Sequence, residues 1–269
     1  MATISKHKPE GMSFYAVGLA PSKRDSIRKS AFEMQQVCRY GGVRTYMADN
    51  LIAVARNLGF TRDHTFLTAA VGAFQEPEDQ HKLWRLHTYC WAISTALGLE
   101  GALVECGVYK GLYAVTALGT LGTAITPERD YYLYDTFQGL DNRYASEMEM
   151  RMSVPEFAGE GLEAQVRKRF APWANVHVVA GTVPDVLADT APDRVAFLHL
   201  DMNCAEAEIA ALEFFYDRIP VGGVILLDDY GRSEYEPMFD AYQAWFGARS
   251  HRILELPTGQ GLIVKHRAG

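Results

Sequence analysis

Three acids stand at the ends of apolar, β-rich runs. Asp201 follows the run from Val195 to Leu200, and Asp228 and Asp229 follow Val224-Ile225-Leu226-Leu227. In an open α/β sheet, ligands bind just beyond the carboxyl ends of parallel strands, so acids at those ends face a ligand. Asp201, Asp228 and Asp229 offer only carboxylate oxygens. Such a set suits Mg²⁺, Ca²⁺ or Mn²⁺ and not zinc, which favours sulfur and imidazole. The competing explanation is local, since Asp228-Asp229 can also cap a turn.

A second group of residues has the chemistry of a cofactor site. The stretch Val104-Glu105-Cys106-Gly107-Val108-Tyr109-Lys110-Gly111 ends a strand and opens a helix, with Gly107 and Gly111 at a tight turn where a ligand can approach the backbone. The G-x-G-x-x-G spacing is absent, so the turn is no dinucleotide fingerprint. Glu105, at the strand tip beside a helix N-terminus, suits a cationic or amine-bearing ligand, or else serves as a cap. Asp135 ends the next strand, where an acid commonly accepts hydrogen bonds from a ribose diol, and Phe137 either stacks a base or joins the core. Gly181-Thr182 makes a further turn at the same sheet edge.

These positions require strands alternating with helices. Strands are predicted at 102–106, 131–134, 176–179, 195–200, 224–227, 252–256 and 261–265, with helices at 112–121, 161–170, 183–188, 206–218 and 236–246. Alternation of this kind gives right-handed crossovers and a mostly parallel sheet covered on both faces. Only Pro257-Thr258-Gly259-Gln260 separates the last two strands, too short for a crossover, so they form an antiparallel hairpin. From 22 to 98 the pattern reads as helical throughout, with Tyr46, Leu51, Ile52, Val54 and Leu58 in one segment and a later helix carrying Trp84, His87 and Trp91. The expected organisation is a helical extension over 1–99, serving as lid, acceptor pocket or oligomer contact, and a catalytic domain over 100–269. The polar segment 141–157, with Met148, Met150 and Met152, reads as a mobile cover over the site.

The 269 residues are 48% hydrophobic and 22% charged, an ordinary globular composition with a substantial core. A net charge of −7 argues against nucleic-acid binding and favours a small-molecule partner. No apolar stretch is long enough for a membrane span, and Met1 to Pro9 lacks the apolar core of a secretion signal, so a cytoplasmic location is expected. Cys38, Cys90, Cys106 and Cys204 are widely spaced and expected to be reduced thiols. Trp84 and Trp91 suit core packing or a homo-oligomer contact.

From about residue 100 to 265 the chain resembles class I S-adenosylmethionine-dependent methyltransferases, and specifically the macrocin O-methyltransferase family, which methylates sugar hydroxyls of natural products. The resemblance rests on the 104–111 turn, Tyr134-Asp135-Thr136-Phe137-Gln138-Gly139-Leu140, Leu198-His199-Leu200-Asp201, and Gly222-Gly223 with Asp228-Asp229-Tyr230-Gly231. It implies a Rossmann-like, doubly wound α/β fold with seven strands. It implies also that Glu105, Gly107 and Gly111 line the methionine part of S-adenosylmethionine, with Tyr109 a further candidate cofactor contact. Asp135 would hold its ribose, Thr136, Phe137, Gly181 and Thr182 are further candidate cofactor contacts, and Asp201, Asp228 and Asp229 would hold Mg²⁺ or another divalent cation.

The chain departs from the family pattern after Asp201. A second Asp is usual two residues on, followed by Tyr-Glu, but here Asn203 precedes Cys204-Ala205-Glu206. An amide takes no proton at neutral pH, so the usual base assignment does not carry over. The remaining candidates are His199, Asp201, Glu206, a metal-associated water, and His64, His81 or His87. The expected function is metal-dependent O-methylation of a sugar or other polyhydroxylated molecule. The alternatives are a catalytically silent binding or assembly subunit of the same fold and, further off, a nicotinamide-dependent oxidoreductase.

Overall fold

The computed structural model describes residues 21–267. Met1 to Pro9 lie outside the described residues. The first elements are α1 (Pro21–Tyr40), β1 (Thr45–Ala48), β2 (Leu51–Val54), α2 (His64–Ala73) and α3 (Leu83–Ala96). Strands and helices then alternate through β3 (Ala102–Cys106), α4 (Leu112–Leu121), β4 (Tyr131–Asp135), α5 (Glu147–Met152), α6 (Leu162–Phe170) and β5 (Val176–Ala180). The chain continues with α7 (Leu187–Thr190), β6 (Val195–Leu200), α8 (Ala205–Phe215), β7 (Val224–Leu227), α9 (Glu236–Ala248), β8 (Leu254–Glu255) and β9 (Gly261–Val264).

Strands β3 to β9 form one seven-stranded sheet in the order β5-β4-β3-β6-β7-β9-β8. The first five pair in parallel, and β9 runs antiparallel to both β7 and β8. This is the expected doubly wound, Rossmann-like architecture with its C-terminal hairpin. The chain moves outward through β3, β4 and β5, then returns to β6 beside β3. That reversal opens a crevice at the carboxyl ends of β3 and β6.

Both faces of the sheet are covered, which is why its central strands are dominated by apolar residues, with Glu105 and His199 as buried exceptions. Leu86, Tyr89 and Ile93 of α3 and Ala114 and Ala117 of α4 share a core with Leu103, Phe197 and Leu226. On the other face Leu212 and Phe215 of α8 and Tyr242 and Phe246 of α9 share one with Val104, Leu198 and Ile225. Arg85, Leu86, Tyr89, Cys90, Ile93 and Ala96 form the buried stripe of α3 at three- and four-residue spacing. Arg85 is the one charged member of that stripe.

The stretch from 22 to 98 is not helical throughout. Tyr46 pairs with Ala53 and Met47 with Ile52 across an antiparallel hairpin. Its turn residues, Asp49 and Asn50, have φ of 52° and 58°, the left-handed geometry of a two-residue hairpin turn that Asp and Asn tolerate better than other non-glycines. The spacing of Tyr46, Leu51 and Ile52 imitates a helix, yet Ile52 and Val54 are β-branched and alternate with Leu51 and Ala53. An isolated hairpin is marginal in water. Here Tyr46 fastens it, with ring centroids 5.7 Å from Phe60 and 5.3 Å from Trp84 and its hydroxyl donating to the His81 carbonyl at 3.3 Å.

Two smaller elements also differ from expectation. The helix predicted at 183–188 shortens to Leu187–Thr190, because Val183 precedes Pro184 and is disfavoured in helical conformation. The 141–157 segment contains α5, whose Ser146 and Glu149 form a capping box. Glu149 also accepts the Ala205 backbone N–H at 2.8 Å, tying this segment to the start of α8.

Candidate active site

The turn after β3 shapes one wall of the crevice. Gly107 has φ of 91°, and a side chain there would collide with the carbonyl oxygen of Asp201. Glycine therefore lets the ends of β3 and β6 meet. Asp135, at the end of β4, accepts the backbone N–H groups of Val108 and Tyr109 at 2.7 Å each and that of Phe137 at 2.6 Å. Its carboxylate thus clamps the turn first, and one of its roughly four acceptor positions is left for a ligand. Gly107, Tyr109, Asp135, Thr136, Gly181 and Thr182 all line a cavity of about 660 Å³, a size ordinary for small-molecule sites.

Three residues expected on this wall lie elsewhere. Glu105 is fully buried beneath the turn, its Oε2 accepting the hydroxyls of Tyr89 and Tyr131 while Oε1 has no partner. Burial pushes its pKa up to about 7. Strand alternation puts Glu105 on the same face as Leu103, toward α3 and α4. Gly111 caps α4 at φ of 75° with the Phe170 ring against it. Phe137 is 3% exposed and belongs to the core.

The same cavity is lined by Asp201, Asp228 and Asp229. Asp201 and Asp228 converge with His199, each offering a ligand atom within 4.8 Å of the others. Asp228 is densely held: Oδ1 accepts from the Tyr113 hydroxyl at 3.0 Å and the Gln260 amide at 2.8 Å, and Oδ2 accepts from Arg85 Nη1. Asp229 turns toward Arg85 at 3.6 Å and Arg232 at 3.5 Å. Asp49, in the hairpin turn, takes the other side of Arg85, with Nε 2.5 Å from Oδ2 and Nη2 3.2 Å from Oδ1. Arg232 is further paired with Glu234 at 2.9 Å.

The charges of this cluster do not cancel. Burial alone would lower the Arg85 pKa, but Asp228, Tyr113, Asp49 and Asp229 raise it well above its usual value. Burial raises the Asp228 carboxyl, yet Arg85 and His199 overcome it and hold Asp228 below the carboxylate range. Asp201 moves the other way. Burial and the charges of Asp228 and Asp229 lift its pKa well above the usual carboxylate value. Four carboxylates, those of Asp49, Asp228, Asp229 and Glu234, pair with the two guanidiniums of Arg85 and Arg232, and Asp201 lines the same cavity. Hard oxygen donors short of positive charge, opening into the cavity, fit a divalent cation.

The expected acid–base residues separate clearly. Asp201 faces the cavity. His199 does not, being fully buried with both ring nitrogens unpartnered, 3.6 Å from Asp228 and packed against Tyr89 and Tyr113. Glu206 points to solvent from the first turn of α8. His64 is exposed, His81 is buried at the base of α3, and His87 stacks on Phe60 at 5.2 Å; none lines the cavity. Asn203, at φ of 55°, lines the cavity and accepts the Tyr235 hydroxyl on Oδ1 at 2.5 Å.

Several site residues were not anticipated. Glu208 accepts the Met202 N–H at 2.8 Å and the Tyr242 hydroxyl, so it fixes the loop that carries Asp201 and Asn203, and burial pushes its pKa up to about 8. Asp49, Arg85, Arg232 and Tyr235 complete the wall. The helical periodicity of α8 places Glu208 on its buried stripe with Ala211, Leu212 and Phe215, a signal present in the sequence.

Comparison with known proteins agrees with this arrangement. The macrocin-O-methyltransferase (TylF) family matches residues 80–250. The 8-demethyl-8-(2,3-dimethoxy-alpha-L-rhamnosyl)-tetracenomycin-C 4'-O-methyltransferase of Streptomyces olivaceus is 27% identical over 188 residues, covering 67% of this chain and 71% of that protein. The solved structure of the O-methyltransferase NovP superposes with a TM-score of 0.58 at 22% identity, over 69% of this chain and 81% of its own. The calicheamicin methyltransferase CalS11 gives 0.54 at 18% identity, over 76% and 92% respectively. Among the described residues no helix is long and apolar enough to cross a membrane. The chain belongs to the macrocin O-methyltransferase family and is an S-adenosylmethionine-dependent O-methyltransferase.

Proposed function

We propose that this enzyme methylates a hydroxyl of a sugar or similar polyol in a reaction that depends on Mg²⁺ or another divalent cation. The observation that carries this reading is the shared cavity: the Asp135-clamped turn and the cation-short carboxylates at the ends of β6 and β7 open into one space. The Streptomyces olivaceus relative is named for a 4′-O-methyl transfer on a rhamnosyl-bearing compound, which supports a sugar hydroxyl as acceptor.

The donor, when bound, supplies an electrophilic methyl group, and a divalent ion supplies positive charge that lowers the pKa of an acceptor hydroxyl. Gly107, Tyr109, Asp135, Thr136, Gly181 and Thr182 would hold the donor, and Asp201 and Asp228 the ion, with Asp229 beside them. Asp201 is the expected acid–base residue that faces the cavity, and we assign it the acceptor proton. Asn203 cannot take that proton; with Oδ1 engaged by Tyr235, its amide NH₂ is left to donate to an acceptor oxygen. Residues 100–269 thus form the donor-binding domain, and the extension before them adds Asp49 and Arg85 to the acceptor side. In-line displacement needs chiefly such alignment.

The test is release of S-adenosylhomocysteine with glycoside acceptors, in Mg²⁺ and in chelator. Asp228→Asn should lose about a hundredfold or more in turnover, with calorimetric affinity for S-adenosylhomocysteine within about threefold of wild type. Full activity in chelator rejects the metal, and failure to bind S-adenosylhomocysteine rejects the donor site.

A further inference from the structure

Arg85 lies in the middle of the carboxylates assigned to the metal. Its side chain is 6% exposed, and its guanidinium is divided between two elements that are far apart in sequence. Nε and Nη2 form a two-pronged contact with Asp49 at 2.5 and 3.2 Å, whereas Nη1 reaches Asp228 and stands 3.6 Å from Asp229. A guanidinium is a permanent cation whose planar fork matches one carboxylate at a time. Without Asp49, that fork would have Asp228 and Asp229 as its remaining acid partners, the same oxygens a divalent ion needs.

We propose that Asp49, presented by the hairpin turn, is a positioning residue for the metal: it holds Nε and Nη2 of the Arg85 fork, so that Arg85 meets Asp228 through Nη1 alone and a lone pair of Asp228 Oδ2, with Asp201, stays open to a divalent cation. The proposal rests on the metal-dependent reading above. Three features support it. The Asp49 turn adopts left-handed φ at both central residues, a tight turn from which the Asp49 carboxylate meets Nε and Nη2 of Arg85. Tyr46 pins the hairpin to the start of α3 through the His81 carbonyl and the rings of Phe60 and Trp84, one turn from Arg85. Arg232, the second guanidinium, lies 3.7 Å from Asp49 Oδ1 and 3.5 Å from Asp229, so Asp49 faces both cations of the cluster. Seating of the hairpin and binding of the metal are therefore linked, and each must favour the other.

The test is Mn²⁺ affinity without turnover, read from the electron paramagnetic resonance of free Mn²⁺ in titrations of the full-length protein. Asp49→Asn should weaken Mn²⁺ binding by about tenfold or more, because the Nε and Nη2 prongs of Arg85 lose their carboxylate and the whole charge of Arg85 then falls on Asp228 and Asp229. Arg85→Gln should tighten it, even though it leaves buried carboxylates unpaired and lowers thermal stability. The double variant should return to within about threefold of wild type. Glu78→Gln, a cavity carboxylate with no ion pair to Arg85, should change affinity less than about twofold. A merely structural role would weaken binding in all three site variants alike, and that outcome overturns the proposal. So does wild-type affinity in Asp49→Asn. If the wild-type protein binds no Mn²⁺, the metal-dependent reading itself fails and this proposal goes with it.

Discussion

Glu105 offers a sharp test of how the site is built, because it is a carboxylate placed where a neutral group would be more stable. It is fully buried, Oε1 has no partner, and burial raises its pKa from 4.5 to about 7. A group whose pKa is raised in the folded state contributes stability that is complete below its unfolded pKa and is lost as pH rises through the folded value. Here the window runs from about pH 4.5 to about pH 7. With roughly 1.4 kcal/mol per pKa unit, holding Glu105 ionised in the fold costs about 3 kcal/mol at pH 8 and less than about 1 kcal/mol at pH 5. Glu105→Gln keeps the shape and removes the ionisation. Urea unfolding at pH 5, 6.5 and 8 should show the variant close to wild type at pH 5 and more stable by about 1–3 kcal/mol at pH 8. A difference that does not change with pH, or an equal loss at every pH, would refute the assignment of Glu105 as a buried acid beneath the site.

Two further substitutions probe the donor wall. Gly107→Ala should cost about 2 kcal/mol or more in urea unfolding and weaken S-adenosylhomocysteine binding by about tenfold or more, since it strains a positive φ and collides with the Asp201 carbonyl; unchanged affinity would remove Gly107 from that wall. Asp135→Asn leaves fewer acceptor positions for three backbone donors and should cost about 1–3 kcal/mol in stability. The same variant should weaken S-adenosylhomocysteine binding in calorimetry while Mn²⁺ affinity stays level, and a matching loss of Mn²⁺ would show that the two ends of the cavity are not separable.

The sheet was legible because its physics is local. β6 and β7 are buried on both faces and so appear as apolar runs, interrupted in β6 by His199, each ending at its acid. The turn at Gly107 and the clamp at Asp135 lie within a few residues of strand ends and follow from the same alternation. The hairpin at 45–54 was misread because no glycine marks its turn and its apolar spacing also suits a helix; the pair Asp49-Asn50 between alternating apolar residues was the available signal. Glu105 and Glu208 carried signals too, since period-two alternation puts the first with Leu103 and helical periodicity puts the second with Leu212. Arg85 left no local trace. Its partners lie 36 and 143 residues away, and on the apolar stripe of α3 a single charge reads as an interruption.

Glu105, Glu208 and Arg85 share a feature that bears on why the site has this form. Each occupies a position that local periodicity reserves for an apolar side chain, and each is held by partners from other elements: Tyr89 and Tyr131 for Glu105, the Met202 amide and Tyr242 for Glu208, Asp49 and Asp228 for Arg85. Apolar replacements of similar volume often match or exceed such buried charged groups in stability. Their value lies in direction. Glu208 fixes the loop that carries Asp201 and Asn203, and Arg85 joins the hairpin to the ends of β7 and α3, so the acceptor side of the cavity is assembled from segments that have no covalent proximity. Deleting the Glu208 charge while keeping its volume should therefore leave a folded sheet with an intact donor wall and a misplaced Asp201, and loss of metal affinity should precede loss of fold.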